Sequence, residues 1–198
     1  MPEERSDEEL MARIVERDEE AFRVLVERHQ DRVYGTVARM LGGAGSDSEE
    51  VAQDVFLRVW KSAGIYRAEG KFTSWLMMIV RNQVFTRMGR RKRRKDIDGQ
   101  DLVDAETGES VLDSHPDSAT RLPLEALSFK ELQKAVEEAC AELPDNQRLV
   151  VHLRQYEGLE FEEIGKITGQ SLTAVKALMF RAREKLKKKL SGYLGASK

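Results

Sequence analysis

Between Asp96 and Pro123 the sequence has no helical period. This segment carries eight acids from Asp96 to Asp117 with no lysine or arginine, and Gly99, Gly108, Pro116 and Pro123 punctuate it. Such a composition buries too little apolar surface to offset the entropy of ordering it, so it reads as an extended, flexible linker. On both sides, apolar residues recur at three- and four-residue steps, the period of a helix with one buried face. The chain of 198 residues therefore divides into an N-terminal helical domain over 1–95, an acidic linker over 96–123 and a C-terminal helical domain over 124–198. The expected fold class is all-α, with two small domains.

Four helices are readable before the linker: Asp7–Glu16, Asp18–Leu41, Ser48–Ala63 and Thr73–Met88. The second carries Phe22, Leu25, Val26, Val33, Val37, Met40 and Leu41 on one face. Gly42, Gly43 and Gly45 end it, because glycine readily takes the left-handed conformation that closes a helix. Ser46, Asp47 or Ser48 is expected to cap the third helix, which buries Val51, Val55, Phe56 and Val59. The fourth turns Trp75, Leu76, Ile79, Val80 and Val84 inward. After the linker come Glu125–Leu143, Pro144–Glu157, Phe161–Thr168 and Ser171–Leu190, with Pro144 expected in a first turn.

The formal net charge of −2 hides strong segregation. Eight bases and no acid lie between Arg81 and Lys95, and eight bases with the single acid Glu184 lie between Lys176 and Lys198. Two basic blocks flanking an acidic tether point to two polyanion-binding surfaces. Cys140 is the only cysteine, so no intrachain disulfide can form, and it reads as a small apolar residue rather than a redox sensor. His29, His115 and His152 are far apart, so neither a metal nor another cofactor is expected. No uncharged stretch is longer than the nine residues of Phe72–Val80, far short of the ~20 residues of a membrane helix. The acidic N-terminus lacks an apolar signal region, and a cytoplasmic protein is expected.

The strongest local signal runs from Phe161 to Arg183. A short helix turns Phe161, Ile164 and Ile167 inward, Gly169 allows a tight turn, and Ser171 caps a second helix. That helix buries Val175, Leu178, Met179, Ala182 and Leu186 and presents Thr173, Lys176, Phe180, Arg181 and Arg183 on its other side. This is the layout of a helix-turn-helix, whose second helix enters the major groove. An ordinary helical hairpin with a solvated basic face has the same spacing. Phe180 argues for DNA, because a bare ring on the polar face has no core role but can meet a thymine methyl.

Leu143-Pro144 with Gln147-Arg148, Leu159–Ile164, Ala174-Val175-Lys176 and Phe180–Leu186 resemble region 4 of the extracytoplasmic-function (ECF) sigma factors of bacterial RNA polymerase, in the sigma-70 family. Asp18–Phe22, Glu50–Phe56, Phe72–Leu76 and Asn82 resemble region 2 of the same family. The resemblance covers nearly the whole chain in the right order.

The resemblance implies a non-catalytic subunit that binds core RNA polymerase and directs initiation at chosen promoters. It implies partners in the clamp of the large catalytic subunit, the flap region, promoter DNA and an anti-sigma factor, with no membrane insertion and no small-molecule substrate. Glu50, Gln53, Asp54 and Arg58 would contact the clamp. Tyr66, Arg67, Lys71 and Asn82 would grip and open the minus-ten element, with Phe72 and Trp75 shaping the pocket from the core. Arg90 and Arg91 would lie along phosphates. Ser171, Thr173, Lys176, Phe180, Arg181 and Arg183 would meet the minus-thirty-five element. Family members often carry Ser-Arg where this chain has Ala177-Leu178, so promoter preference does not transfer directly.

Two other classes fit less of the chain. A free-standing helix-turn-helix regulator would leave Tyr66–Lys95 and the Val51 helix unexplained. A metal-dependent nuclease could draw on Glu19-Glu20, Glu49-Glu50, Glu137-Glu138 or Glu162-Glu163, but adjacent residues do not share a helix face, and no His or Asp cluster completes a metal site.

Overall fold

Residue Asp7 begins the first helix and also fastens it to the second. Ser6 caps α1 (Asp7–Val15) by accepting the Glu9 amide at 3.2 Å, and the Ser6 amide donates back to the Glu9 carboxylate at 2.8 Å. This reciprocal pair satisfies donors that a helix start leaves free. Asp7 then accepts from Arg28 at 2.7 Å and faces the buried His29 Nε2 at 2.9 Å, both on α2 (Glu19–Leu41). Asp18 caps α2 through the Ala21 amide, and Gly42 ends it at φ 88°, as its glycine run predicts.

The computed structural model describes residues 5–68, 70–97 and 129–191. All regular structure among them is helical. After α2 come α3 (Ser46–Ser62), a 3-10 turn (Ala63–Ile65), α4 (Phe72–Ile97), α5 (Phe129–Ala141), α6 (Asp145–Gln155), α7 (Phe161–Thr168) and α8 (Leu172–Leu190). Helices α1–α4 share a core built on Leu10, Ile14, Leu25, Val33, Val37, Val55, Val59, Leu76 and Val80, and α5–α8 share one built on Leu149, Leu153, Ile164, Ile167, Val175 and Met179. Fully burying each such side chain contributes about 1.5–3 kcal/mol. The two groups also touch, α2 against α6 and α4 against α7.

Several boundaries differ from the sequence reading. None of Ser46, Asp47 or Ser48 caps α3; Gly45 occupies that position, and the buried Ser48 hydroxyl instead donates to the Gly43 carbonyl at 2.8 Å, closing the glycine turn. Pro144 is the residue before α6 rather than its first turn. Helix α4 starts one residue early and runs nine residues past Met88, so the basic block Arg90–Lys95 is helical and the first domain's last helix ends at Ile97, beyond the expected boundary at 95. Its outer turns have no apolar period, and lysine and arginine are good helix formers that leave no such trace. The acidic linker, apart from the last turn of α4, lies outside the described residues. So do 125–128 at the expected start of α5.

The Asp7 cluster yields a pH prediction. Burial pushes the Asp7 carboxyl up, but its bonds to His29 and Arg28 outweigh this and hold it below the ordinary 3.8. A carboxyl lowered in the folded state stabilises fully above its unfolded pKa and loses that contribution as pH falls through the folded one. Denaturant titrations from pH 6 down to pH 2 should therefore lose stability over the acid end of that range. Asp7→Asn should lower stability at pH 6 and flatten that acid limb.

Candidate nucleic-acid interface

The turn between α7 and α8 is built around one carbonyl. Gly165 O accepts the amides of both Gly169 and Gln170, the latter at 3.0 Å, while Gly169 takes φ 69°. Gly165 has no side chain, so the turn can close on it: a Cβ there would sit 2.9 Å from the Gln170 carbonyl. Ser171 caps α8 by accepting the Ala174 amide at 3.2 Å. Val175, Met179 and Ala182 are buried, with Leu178 and Leu186 partly so. Thr173, Lys176, Phe180, Arg181 and Arg183 all face solvent, and Phe180 is 65% exposed. On the other side, Arg154 bonds the Leu159 carbonyl and the Glu160 carboxylate and lies over the Phe161 ring, fixing the entry to α7.

The second basic surface is the outer part of α4. Arg90, Lys92, Arg93 and Arg94 are exposed. Arg87 and Arg91 are held by Asp47 at the start of α3, and Arg87 also by Glu50. Arg91 further donates to the Leu41 carbonyl at 3.2 Å. Sequence reasoning treated Asp47 only as a cap. Here it anchors the basic helix against α3, and a carboxylate opening a helix beside a basic run is the signal that could have shown it.

Between the 3-10 turn and α4, Tyr66 packs edge-on against Phe72 and Trp75, with ring centroids 5.9 and 5.0 Å away. Phe72 is buried and Trp75 half-buried. The Tyr66 hydroxyl is buried without a hydrogen-bond partner, and burial, with the nearby Glu8 and Asp7 charges, raises its pKa. Arg67 is exposed and donates to the Gly64 and Tyr66 carbonyls. Lys71 lies 3.4 Å from Glu163 of α7, and Asn82 accepts from Arg81 at 3.0 Å. The geometry thus groups Tyr66 and Lys71 at the start of α4 and Arg90 and Arg91 near its end, with Asn82 between.

On α3, Gln53, Asp54 and Arg58 share an exposed face, and Glu50 lies at its α4 edge. Leu57 sits among them, 52% exposed. Sequence reasoning missed it, although it falls outside the period of Val51, Val55, Phe56 and Val59. No helix among the described residues is long and apolar enough to cross a membrane, and none of their His, Cys, Asp and Glu side chains form a group of three or more able to hold a metal.

The family model for Sigma-70 region 2 matches residues 25–94, and that for Sigma-70 region 4 matches residues 133–186. Together they span more than half of the chain. The ECF RNA polymerase sigma-E factor of Haemophilus influenzae is 30% identical over 96% of this chain and 98% of its own length. The chain belongs to the ECF sigma factors of the sigma-70 family. The RNA polymerase sigma-H factor of Pseudomonas aeruginosa is also 30% identical, over 95% of each chain. Two solved structures share the fold. One is the sigma factor RpoE bound to the anti-sigma factor NepR from Bartonella quintana (TM-score 0.63, 22% identity, 86% of this chain and 96% of that one). The other is CnrH bound to the cytosolic domain of CnrY (TM-score 0.62, 23% identity, 92% and 95%).

In this sigma factor, region 2 as matched takes in α2 from Leu25, α3 and α4 up to Arg94, and region 4 takes in most of α5, all of α6 and α7, and α8 up to Leu186. The candidate contacts on α3, α4 and α8 fall within these two matched stretches.

Proposed function

We propose that this sigma factor binds core RNA polymerase through the outer face of α3, opens the minus-ten element with region 2 and reads the minus-thirty-five element with α8. It works in the cytoplasm as a non-catalytic subunit, and an anti-sigma factor controls it. One observation carries the reading: a helix-turn-helix whose recognition helix buries Val175, Met179 and Ala182 on one face and leaves Lys176, Phe180 and Arg181 bare on the other. Arg181 suits a bidentate pair with guanine, and Phe180 a thymine methyl. In region 2, opening a duplex requires flipped bases to find a stacking partner. Tyr66 can supply one if it leaves its aromatic cluster. Its buried, unpartnered hydroxyl costs about 1–3 kcal/mol where it stands, which favours that movement. Anti-sigma control is supported by the relative captured with NepR.

The test is run-off transcription. The purified chain alone should initiate nothing, and with core polymerase it should direct initiation from a small set of promoters. Promoter-independent nuclease activity, or initiation without core, would overturn the proposal. Within that assay, Arg181→Ala should lose about 1–3 kcal/mol on the matched minus-thirty-five element and less on a scrambled one. Lys187→Ala, in the basic last turns of α8, should weaken all sequences alike with a shallower salt slope. Equal loss on both elements for Arg181→Ala would mean that this residue only positions the helix.

A further inference from the structure

Between the end of α2 and helices α5 and α6 lies a cleft of about 440 Å³, lined by no residue assigned above to promoter DNA or core polymerase. That volume suits a small organic ligand. Its α2 wall is Gly35, Ala38, Gly42 and Gly43, residues too small to fill it. The facing wall carries Cys140 of α5 and, on α6, Arg148 and His152. Each of these two α6 side chains holds a buried nitrogen with no partner among the described residues. The Arg148 guanidinium is fixed through both terminal nitrogens, donating to the Ala141 carbonyl at 2.9 Å and to Asp145 at 2.7 Å, while its Nε–H donates to nothing. His152 is 3% exposed, and its Nδ1 is the unpartnered atom. Its Nε2 lies 3.0 Å from Thr36 Oγ1 and 3.5 Å from the Glu157 carboxylate. The single Thr36 hydroxyl proton goes to the Arg32 carbonyl at 2.8 Å or to Glu157 at 3.1 Å, so Thr36 accepts from His152 Nε2–H. In that tautomer Nδ1 is a bare acceptor. Four residues apart, Arg148 and His152 share one helix face. The cleft thus offers one unspent donor and one unspent acceptor a helical turn apart. The Tyr156 ring stacks on His152 with centroids 5.1 Å apart and adds a flat apolar surface to the same wall.

We propose that this cleft binds a small planar heterocycle carrying an N–H beside a carbonyl oxygen on one edge, as an oxopurine does. The ligand's carbonyl accepts from Arg148 Nε–H, its N–H donates to His152 Nδ1, and its ring packs beside Tyr156 and Val151. Buried polar groups are costly unless bonded, and one guest of this kind satisfies both at once. A purely apolar guest would leave both nitrogens unbonded. A carboxylate only accepts, so it would set its charge against the His152 acceptor. Water alone would bond each nitrogen but leave the apolar wall wet.

The experiment uses the full chain and a reporter it already carries. Cys140 is the only cysteine and is half-buried in the wall of the cleft, so its alkylation reads occupancy. Burial raises the Cys140 pKa, so iodoacetamide is applied under mildly alkaline conditions and the adduct is counted by mass spectrometry. Inosine, whose base carries N–H beside a carbonyl, should slow alkylation several-fold at millimolar concentration. Purine riboside, which keeps the ring nitrogens but lacks both groups, should protect far less. Arg148→Lys loses the Nε donor but keeps the charge, and His152→Gln keeps a polar group toward Thr36 while removing Nδ1. Each should weaken the affinity for inosine about tenfold, the worth of one hydrogen bond. Ala38→Leu puts a good helix former into the cleft and should abolish protection. A melting curve for each variant separates a lost site from a lost fold. No protection of the parent chain by inosine would mean that the cleft holds water only and would overturn the proposal. Equal protection by purine riboside, or undiminished protection in both Arg148→Lys and His152→Gln, would overturn the assigned polar pair. Protection that survives in a folded Ala38→Leu variant would put the ligand elsewhere.

Discussion

Gly165→Val should destabilise the helix-turn-helix enough to abolish recognition of the minus-thirty-five element, and even Gly165→Ala should lower the melting temperature. Helix propensity predicts the opposite sign, since replacing a mid-helix glycine by alanine ordinarily gains about 1 kcal/mol. At Gly165 the new Cβ meets the Gln170 carbonyl at 2.9 Å, and that carbonyl belongs to the turn itself rather than to a side chain able to swing aside. The Gln170 amide is bonded back to Gly165 O at 3.0 Å, so pushing the turn away also strains that bond. Overpacking of this kind costs about 1–3 kcal/mol. For alanine that cost cancels or exceeds the propensity gain. Valine adds two methyl groups beside Val175, which already approaches this spot to 4.0 Å, and stands at the upper end of that range. The whole stability of a small domain is only about 5–15 kcal/mol, so the loss also shifts the seating of α8 on α7. Thermal melts of the full chain and holoenzyme binding to a matched minus-thirty-five duplex would measure both effects. A Gly165→Ala variant that melts higher than the parent would show that the turn yields freely and that the glycine is dispensable.

Why this glycine escaped the sequence reading, when Gly169 did not, marks where the sequence is informative. Gly169 follows the last apolar-periodic residue of its helix and announces a helix end. Gly165 lies inside the period and matters only because a later carbonyl folds back over it. The same division runs through the molecule. The helices up to Met88 and from Pro144 onward were legible because one side of each is buried against its own half. The outer turns of α4 were not, because Arg90–Arg94 has no buried face and is held as a helix by propensity and by Asp47, which stands more than forty residues earlier. The exposed face of α8 was legible from the complement of its core positions. The meeting of Thr36 with His152 was not: both lie at core positions of their helices, and a lone buried hydroxyl or imidazole does not name its partner 116 residues away. Leu57 was visible as an apolar residue out of phase, but a single exposed leucine is ordinary on any surface. It gains meaning only from the company of Gln53, Asp54 and Arg58.

That company leads to the prediction with the greatest effect on function. Asp54→Arg should abolish binding to core polymerase while leaving the fold unchanged. Asp54 is exposed in the middle of α3, with Glu50 and Arg58 one helical turn away on either side and Leu57 beside it. An arginine there is a good helix former, so the isolated protein should melt within about 0.5 kcal/mol of the parent. An interface contact behaves differently. Breaking a desolvated charge pair costs about 2–5 kcal/mol, or roughly thirty- to several-thousand-fold in affinity, and reversing the charge adds repulsion to that loss. Leu57→Asp should act in the same direction by removing apolar contact area from the centre of the patch. Both variants should retain the helix-turn-helix and its basic surface. The measurement is competition with the labelled parent for core polymerase, beside a melting curve. Equal competition by Asp54→Arg would remove α3 from the polymerase contact. The exposed leucine would then be an ordinary surface residue, and the docking face would have to lie elsewhere on the region 2 bundle.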